Sequence, residues 1–261
     1  MFGIGSIFDP FALPGSSKTI TMANRDVTGK VTADPRGAPG DKTMCFIVAG
    51  DSMAGGYHQS TYSMVNPTKV LQLNILDGGI YRATDPLLGQ SHWPAPNNRS
   101  WMPECADLLI AAGKCDRVVW IPVAIGATQI AEWTVDLNKS LVVSKKRAEA
   151  QGLTVDAVLM QCGSNDVATT QAAYLASSID CIDRANLGLP WLWAKTTYST
   201  GFGALAPVRA AIDTLVARLD VFVGPDTDDL TGSSRWDNVH FNASGLSVCA
   251  TRWKNAITTS F

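Results

Sequence analysis

Charge is scarce in this sequence. Only 17% of its 261 residues are Asp, Glu, Lys or Arg, against about a quarter in ordinary globular domains. The 21 basic and 23 acidic side chains nearly cancel, leaving a formal charge of −2. Phosphate binding needs a basic face, so this balance argues against a nucleic-acid partner. Long apolar runs are also missing. The longest, Val118 to Ala127, contains Pro122 and Gly126 and falls well short of the roughly 20 residues that cross a bilayer, so no membrane partner is expected. Six cysteines are scattered without a Cys-x-x-Cys pair, which speaks against a zinc site. Cys45 and Cys162 sit in apolar runs as buried thiols, and Cys105 and Cys115 alone are near enough in sequence to suggest a local disulfide. No H-E-x-x-H, phosphate-binding loop, dinucleotide-binding G-x-G-x-x-G or G-x-S-x-G nucleophile elbow occurs. No metal or other cofactor is called for.

What is present is apolar substance, 46% of the chain, enough for a large core without covalent staples. Residues 1–41 stand apart. They are rich in Gly, Pro, Ser and Thr without a sustained period, and read as an arm or attachment segment. The first stretch has no basic residue before Lys18 and is interrupted by Asp9, Pro10 and Pro14, unlike a secretory signal. Such a segment suits attachment to a larger particle, such as a phage tail, or to a second copy of the chain. Localisation would then be cytoplasmic or virion-associated. Residues 42–261 form the remaining domain.

Within that domain, apolar runs at Thr43 to Ala49, Val70 to Ile75, Arg117 to Ala124 and Ala157 to Gln161 are continuous instead of alternating, as in strands covered on both faces. Leu189 to Thr196 is a weaker fifth. Helical spacing marks Pro103 to Gly113, Leu141 to Gln151, Gln171 to Asn186, Pro207 to Leu219 and Ala243 to Ile257, the last with Asn242 as N-cap. Strands alternating with helices predict an α/β domain with a mostly parallel sheet.

In open α/β sheets, sites lie beyond the carboxyl ends of the strands. Gly50-Asp51-Ser52 follows the first run, Gly126-Ala127-Thr128 the third and Gly163-Ser164-Asn165-Asp166 the fourth. Asp237-Asn238-Val239-His240 precedes the last helix. Each motif alone is weak, but their occurrence in this order is specific. The set resembles the SGNH (GDSL-type) hydrolase superfamily from about Thr43 onward. Leu73-Asn74-Ile75, Tyr81 to Leu87 and Ala127 to Trp133 are similar to its sialate O-acetylesterase and acetylxylan esterase branch. That branch has Gln where Asp51 stands and Gln-Gly-Glu near Gln161 to Asn165, so the third block follows the wider superfamily.

The resemblance implies a three-layer α/β/α sandwich with a mostly parallel central sheet of flavodoxin-like type, residues 42–261 as the catalytic domain, and the activity of a serine esterase. Ser52 would be the nucleophile, at a strand end and at the start of a helix. His240 would be the base and Asp237 its orienting carboxylate. The Ser52 N–H, the Gly126 N–H and the Asn165 side chain would form the oxyanion hole. Asp51, His92 and Trp236 are candidate substrate contacts, while His58 reads as structural. Tryptophans beside the motifs (Trp93, Trp101, Trp133, Trp236) suit the apolar faces of sugar rings, although core or rim packing is the ordinary role of any one of them. The implied substrate is an acetylated glycan. A lipid or thioester acyl hydrolase and a non-catalytic polysaccharide-binding or phage attachment module are the alternatives.

Overall fold

The computed structural model describes residues 22–261. A seven-stranded sheet runs through it, built from β1 (Thr43–Gly50), β2 (Val70–Leu73), β3 (Ile80–Arg82), β4 (Arg117–Pro122), β5 (Ala157–Gln161), β6 (Trp191–Lys195) and, after a small hairpin of β7 (Tyr198–Ser199) and β8 (Gly203–Ala204), β9 (Val221–Asp226). The order is β3-β2-β4-β1-β5-β6-β9. Every pairing is parallel except β2 with β3. Flavodoxin order would set the first strand between the second and third parallel strands. Here β4 lies between β2 and β1, a variant order within the expected three-layer architecture.

Side-chain alternation along β1 explains the layers. Cys45, Ile47 and Ala49 face one apolar cluster, shared with α2 (Asn138–Ala150), α3 (Gln171–Ala185) and α4 (Ala206–Leu215). Met44, Phe46 and Val48 face the other, shared with α1 (Met102–Ala111) and α5 (Ala243–Ser260). Because both faces are covered, β4 and β5 are apolar almost throughout. Gln161, at the end of β5, is fully buried. Its Oε1 accepts from the indole N–H groups of Trp101 (2.9 Å) and Trp253 (3.1 Å), whose rings stack at 4.9 Å. One amide thus ties α1 and α5 to the strand that carries the third motif. Trp101 and Trp133 are core residues.

Three expectations change. The segment read as an arm packs on the domain over its described part. Arg82 donates its N–H to Val31 O (2.8 Å), Ala33 donates to Ile80 O (2.9 Å), and Asn24 exchanges backbone bonds with Gln90 and Gly89. Residues 1–21, and any attachment role they have, lie outside the described residues. Cys105 and Cys115 do not pair, and all six cysteines are buried free thiols. Finally, β9 was not expected as a strand. It is a half-exposed edge strand interrupted by Gly224-Pro225, so it lacks the continuous apolar signature of the interior.

Candidate active site

The first, third and fourth apolar runs become β1, β4 and β5, three adjacent central strands. Their carboxyl ends therefore bring the first three motifs together. Ser52 follows β1 by two residues, but no helix begins there. The chain makes tight turns, with Ala54 N–H donating to Asp51 O and Gly55 N–H to Ser52 O. Ser52 thus lacks a helix dipole behind it. Its own N–H has no acceptor among the described residues and is free to serve a ligand.

Asp51 is not a substrate contact. It is fully buried. Its Oδ1 accepts from Met53 N–H (2.8 Å), and its Oδ2 accepts from the Ser164 hydroxyl (2.8 Å) and the Gly163 and Ser164 N–H groups (both 3.2 Å). Burial raises its pKa against the pull of these bonds. The side chain binds the first motif to the third. Asn165, half-buried, has its amide nitrogen 3.3 Å from Thr128 O and 3.5 Å from Asp51 Oδ2. Bonds this long hold the donor in place without consuming it.

The fourth motif closes on itself. Asn238 adopts φ +66, a left-handed conformation that Asn tolerates better than most residues. Asp237 Oδ1 accepts from the backbone N–H groups of Val239 (2.9 Å) and His240 (2.6 Å). Asp237 Oδ2 lies 2.7 Å from His240 Nδ1, and His240 Nε2 lies 2.8 Å from Ser52 Oγ. Burial disfavours the Asp237 carboxylate, but the bonds from the His240 ring and backbone outweigh it and hold its pKa below the ordinary value. The carboxylate therefore fixes His240 with a proton on Nδ1, leaving Nε2 to accept from Ser52.

Aromatic side chains wall His240. Tyr57 stacks on His240 at 5.3 Å and Trp236 at 6.2 Å, with the Trp236 indole N–H donating to Tyr57 O (3.2 Å). Trp93, 49% exposed, lies 5.9 Å from Tyr57 at the rim. His58 is fully buried. Its Nε2–H donates to Met53 O (3.1 Å), and Nδ1 accepts the Phe241 N–H (3.0 Å). Burial pushes its pKa down to about 3, so it stays neutral and joins the nucleophile turn to the base loop. His92 faces elsewhere, toward a separate cavity of about 270 Å³ with Asp26, Lys30 and Asp85. A larger cleft, about 650 Å³, opens by Leu189 and Asp220 at the amino ends of β6 and β9, away from Ser52. Among the described residues no group of three or more His, Cys, Asp or Glu is placed to hold a metal.

Gly126 meets a different partner from the one expected. Its N–H donates to the Ser91 hydroxyl at 2.6 Å, so it does not face an oxyanion directly. The glycine is nonetheless required sterically, since a Cβ there would lie 2.4 Å from the Tyr57 phenol oxygen. Tyr57 and Ser91 were not singled out from sequence. Their significance comes from partners more than 30 residues away, and no local pattern marks them.

Asp166, which ends the third motif, is 4% exposed, and its carboxylate accepts only long bonds from Ile130 N–H (3.3 and 3.4 Å). Burial, reinforced by Asp51 and Glu132, pushes its pKa to about 7. An unfolded aspartate titrates near 4, so the folded state binds this proton more tightly. Stability from this group is present below about pH 4 and lost as pH rises to about 7. Asp166→Asn, which never ionises, is therefore expected to melt above the wild type at pH 8, with the gap closing toward pH 4. Melting curves across that range check it, and a gap independent of pH would reject the ionised wild-type carboxylate as its cause.

No family model and no curated protein sequence matches the chain. Solved structures do match. A protein of Arabidopsis thaliana shares 21% identity at a TM-score of 0.65, over 85% of this chain and 99% of that one. A carbohydrate acetylesterase from Xanthomonas citri shares 12% at 0.51, over 83% of this chain and 55% of that one. A candidate GDSL-like lipase from Parabacteroides merdae shares 11% at 0.51, over 87% and 97%. The chain shares the fold of these structures, GDSL-like and carbohydrate esterase proteins among them. Within that fold the first, second and third motifs occupy the ends of β1, β4 and β5, and the fourth stands before α5.

Proposed function

We propose that the chain is a serine esterase that removes O-acetyl groups from carbohydrate. The observation that carries the esterase reading is the unbroken relay from Asp237 through His240 to Ser52, with both links under 3 Å. Ser52 Oγ attacks the acetyl carbonyl while its proton passes to His240 Nε2. The oxyanion is met by the Ser52 N–H and the Asn165 amide. Collapse expels the sugar oxygen, which takes the proton from His240. Water, activated by the same imidazole, then releases acetate and restores Ser52. Asp237 remains ionised and stabilises the imidazolium.

Three features favour an acetylated sugar over a lipid. Tyr57 and Trp236 crowd the base, which favours a small acyl group. The exposed Trp93 ring offers an apolar face of the kind sugar rings stack on. The similar Xanthomonas citri protein is itself a carbohydrate acetylesterase. Among the described residues, no helix is long and apolar enough to cross a membrane.

Acetate release across acetylated glycans tests this, with Ser52→Ala as the blank and p-nitrophenyl acetate and octanoate run alongside. The expected result is acetate from at least one glycan, and acetyl preferred to octanoyl by about tenfold or more, as a pocket built for a short chain gives. Octanoyl preference would transfer the protein to lipid substrates. Equal release by the blank would remove Ser52 from the chemistry.

A further inference from the structure

We propose that the Ser91 hydroxyl is a donor to the oxyanion and supplies the place expected of Gly126, an assignment that rests on the esterase reading. The argument is a count of protons. A serine hydroxyl offers one donor and two acceptor positions. The Ser91 oxygen accepts from Gly126 N–H at 2.6 Å and from the Tyr57 phenol at 3.0 Å. Both acceptor positions are then filled. The Ser91 proton has no acceptor among the described residues, although the side chain is only 1% exposed. A buried hydroxyl proton without an acceptor is costly, unless a ligand oxygen takes it.

Position points the same way. The Ser91 backbone is bonded between the nucleophile turn and the segment after β4, with Gly56 N–H donating to Ser91 O (3.0 Å) and Ser91 N–H donating to Ala124 O (2.9 Å). Ile125 N–H donates to Gly50 O (3.0 Å), which sets Gly126 against the start of the Ser52 turn. The Tyr57 ring that holds the hydroxyl stacks on His240, the partner of Ser52. Ser91 Oγ occupies the point in front of the Gly126 N–H where an oxyanion would otherwise sit. Two donors on one oxygen also polarise its remaining O–H, since chained hydrogen bonds strengthen one another. As Ser52 attacks, the carbonyl π pair moves onto oxygen, and that charge accepts hydrogen bonds from the Ser52 N–H, Asn165 and Ser91. The Ser91 proton stays on Ser91 throughout, and the proton that moves is the one carried from Ser52 by His240. Gly126 and Tyr57 act through Ser91 as positioning residues.

The test compares wild type, Ser91→Ala, Ser91→Thr and Tyr57→Phe on p-nitrophenyl acetate, with a fluorophosphonate labelling rate as a second readout because its phosphoryl oxygen is also held by the oxyanion donors. Ser91→Ala is expected to lower kcat about 100-fold, the usual scale for one such donor, with KM changed less than about threefold. Labelling should slow in parallel. Ser91→Thr, which keeps the hydroxyl, should recover most of the loss, and Tyr57→Phe should cost about tenfold or less, as loss of a supporting bond does. The assignment is overturned if Ser91→Ala keeps kcat within about threefold of wild type or raises it, because the freed Gly126 N–H would then be the donor. It is also overturned if Tyr57→Phe costs as much as Ser91→Ala, which would move the free proton to the phenol. A wild type that neither turns over esters nor labels at Ser52 would instead defeat the esterase reading itself, and this assignment with it.

Discussion

Ser52→Ala is expected to lower kcat on acetyl esters by about 10⁵- to 10⁶-fold, the scale seen when a triad nucleophile is removed. The reason for so large a loss is that the relay has a single entry. His240 Nε2 has Ser52 Oγ as its hydroxyl partner. The neighbouring hydroxyl oxygens are held differently: Ser164 donates to Asp51 Oδ2, Tyr57 donates to Ser91, and the Ser91 oxygen already accepts from both Gly126 and Tyr57 without facing His240 as a partner among the described residues. No second nucleophile stands ready. Activity should not fall to the uncatalysed rate, because the oxyanion donors and substrate binding alone can retain about 10³- to 10⁴-fold over water. The fold should barely respond. The substitution removes one hydrogen bond, about 1 kcal/mol, which in a domain of this size moves Tm by roughly 2–4 °C. Turnover measured beside a melting curve checks both statements. A variant retaining a tenth of wild-type kcat would show that another group attacks the ester.

That prediction was accessible from sequence because its parts are local. Ser52 lies directly behind a strand, and Asp237 and His240 are three residues apart, so one left-handed residue, Asn238, suffices to turn them together. The interior strands were legible for a related reason: short, continuous apolar runs of about four to eight residues, too short for a buried helix, fit strands with both faces covered. What stayed hidden was non-local. Ser91 matters because it meets Gly126 and Tyr57, and His58 because it meets Phe241, 183 residues away. Asp51 is hidden from the cleft because its side chain points back to the third motif, to Gly163 and Ser164, more than 110 residues away. The helix expected after Ser52 is replaced by turns, in which Asp51 Oδ1 takes the Met53 N–H and Ser91 O the Gly56 N–H. The half-exposed edge strand β9 has neither continuous nor strictly alternating burial to announce it.

Gly50→Ala is expected to damage the fold severely, although it adds only a methyl group. Gly50 ends β1 with φ +133, a conformation that residues with a side chain adopt only under strain. A Cβ there would lie 2.0 Å from the carbonyl oxygen and 2.5 Å from the carbonyl carbon of Gln161. The obstacle is backbone, so no rotamer relieves it. Relief would require β1 and β5 to part at the one point where their registers close, Gly50 against Gln161, where Asp51 N–H donates to Gln161 O at 3.1 Å. Parting them would also displace the Gln161 amide from its bonds to Trp101 and Trp253, leaving buried indole N–H groups unsatisfied. Strain, a broken strand pair and orphaned donors together place the cost above about 4 kcal/mol, or a fall in Tm of roughly 10 °C or more for a domain this large. The same displacement would pull Ser52 away from His240, so any folded fraction should have lost kcat as well. Thermal unfolding with turnover on the soluble fraction tests the coupling. A Gly50→Ala protein with wild-type Tm and turnover would show that the first and third motifs need not be in backbone contact, and the architecture argued for the site would fail with it.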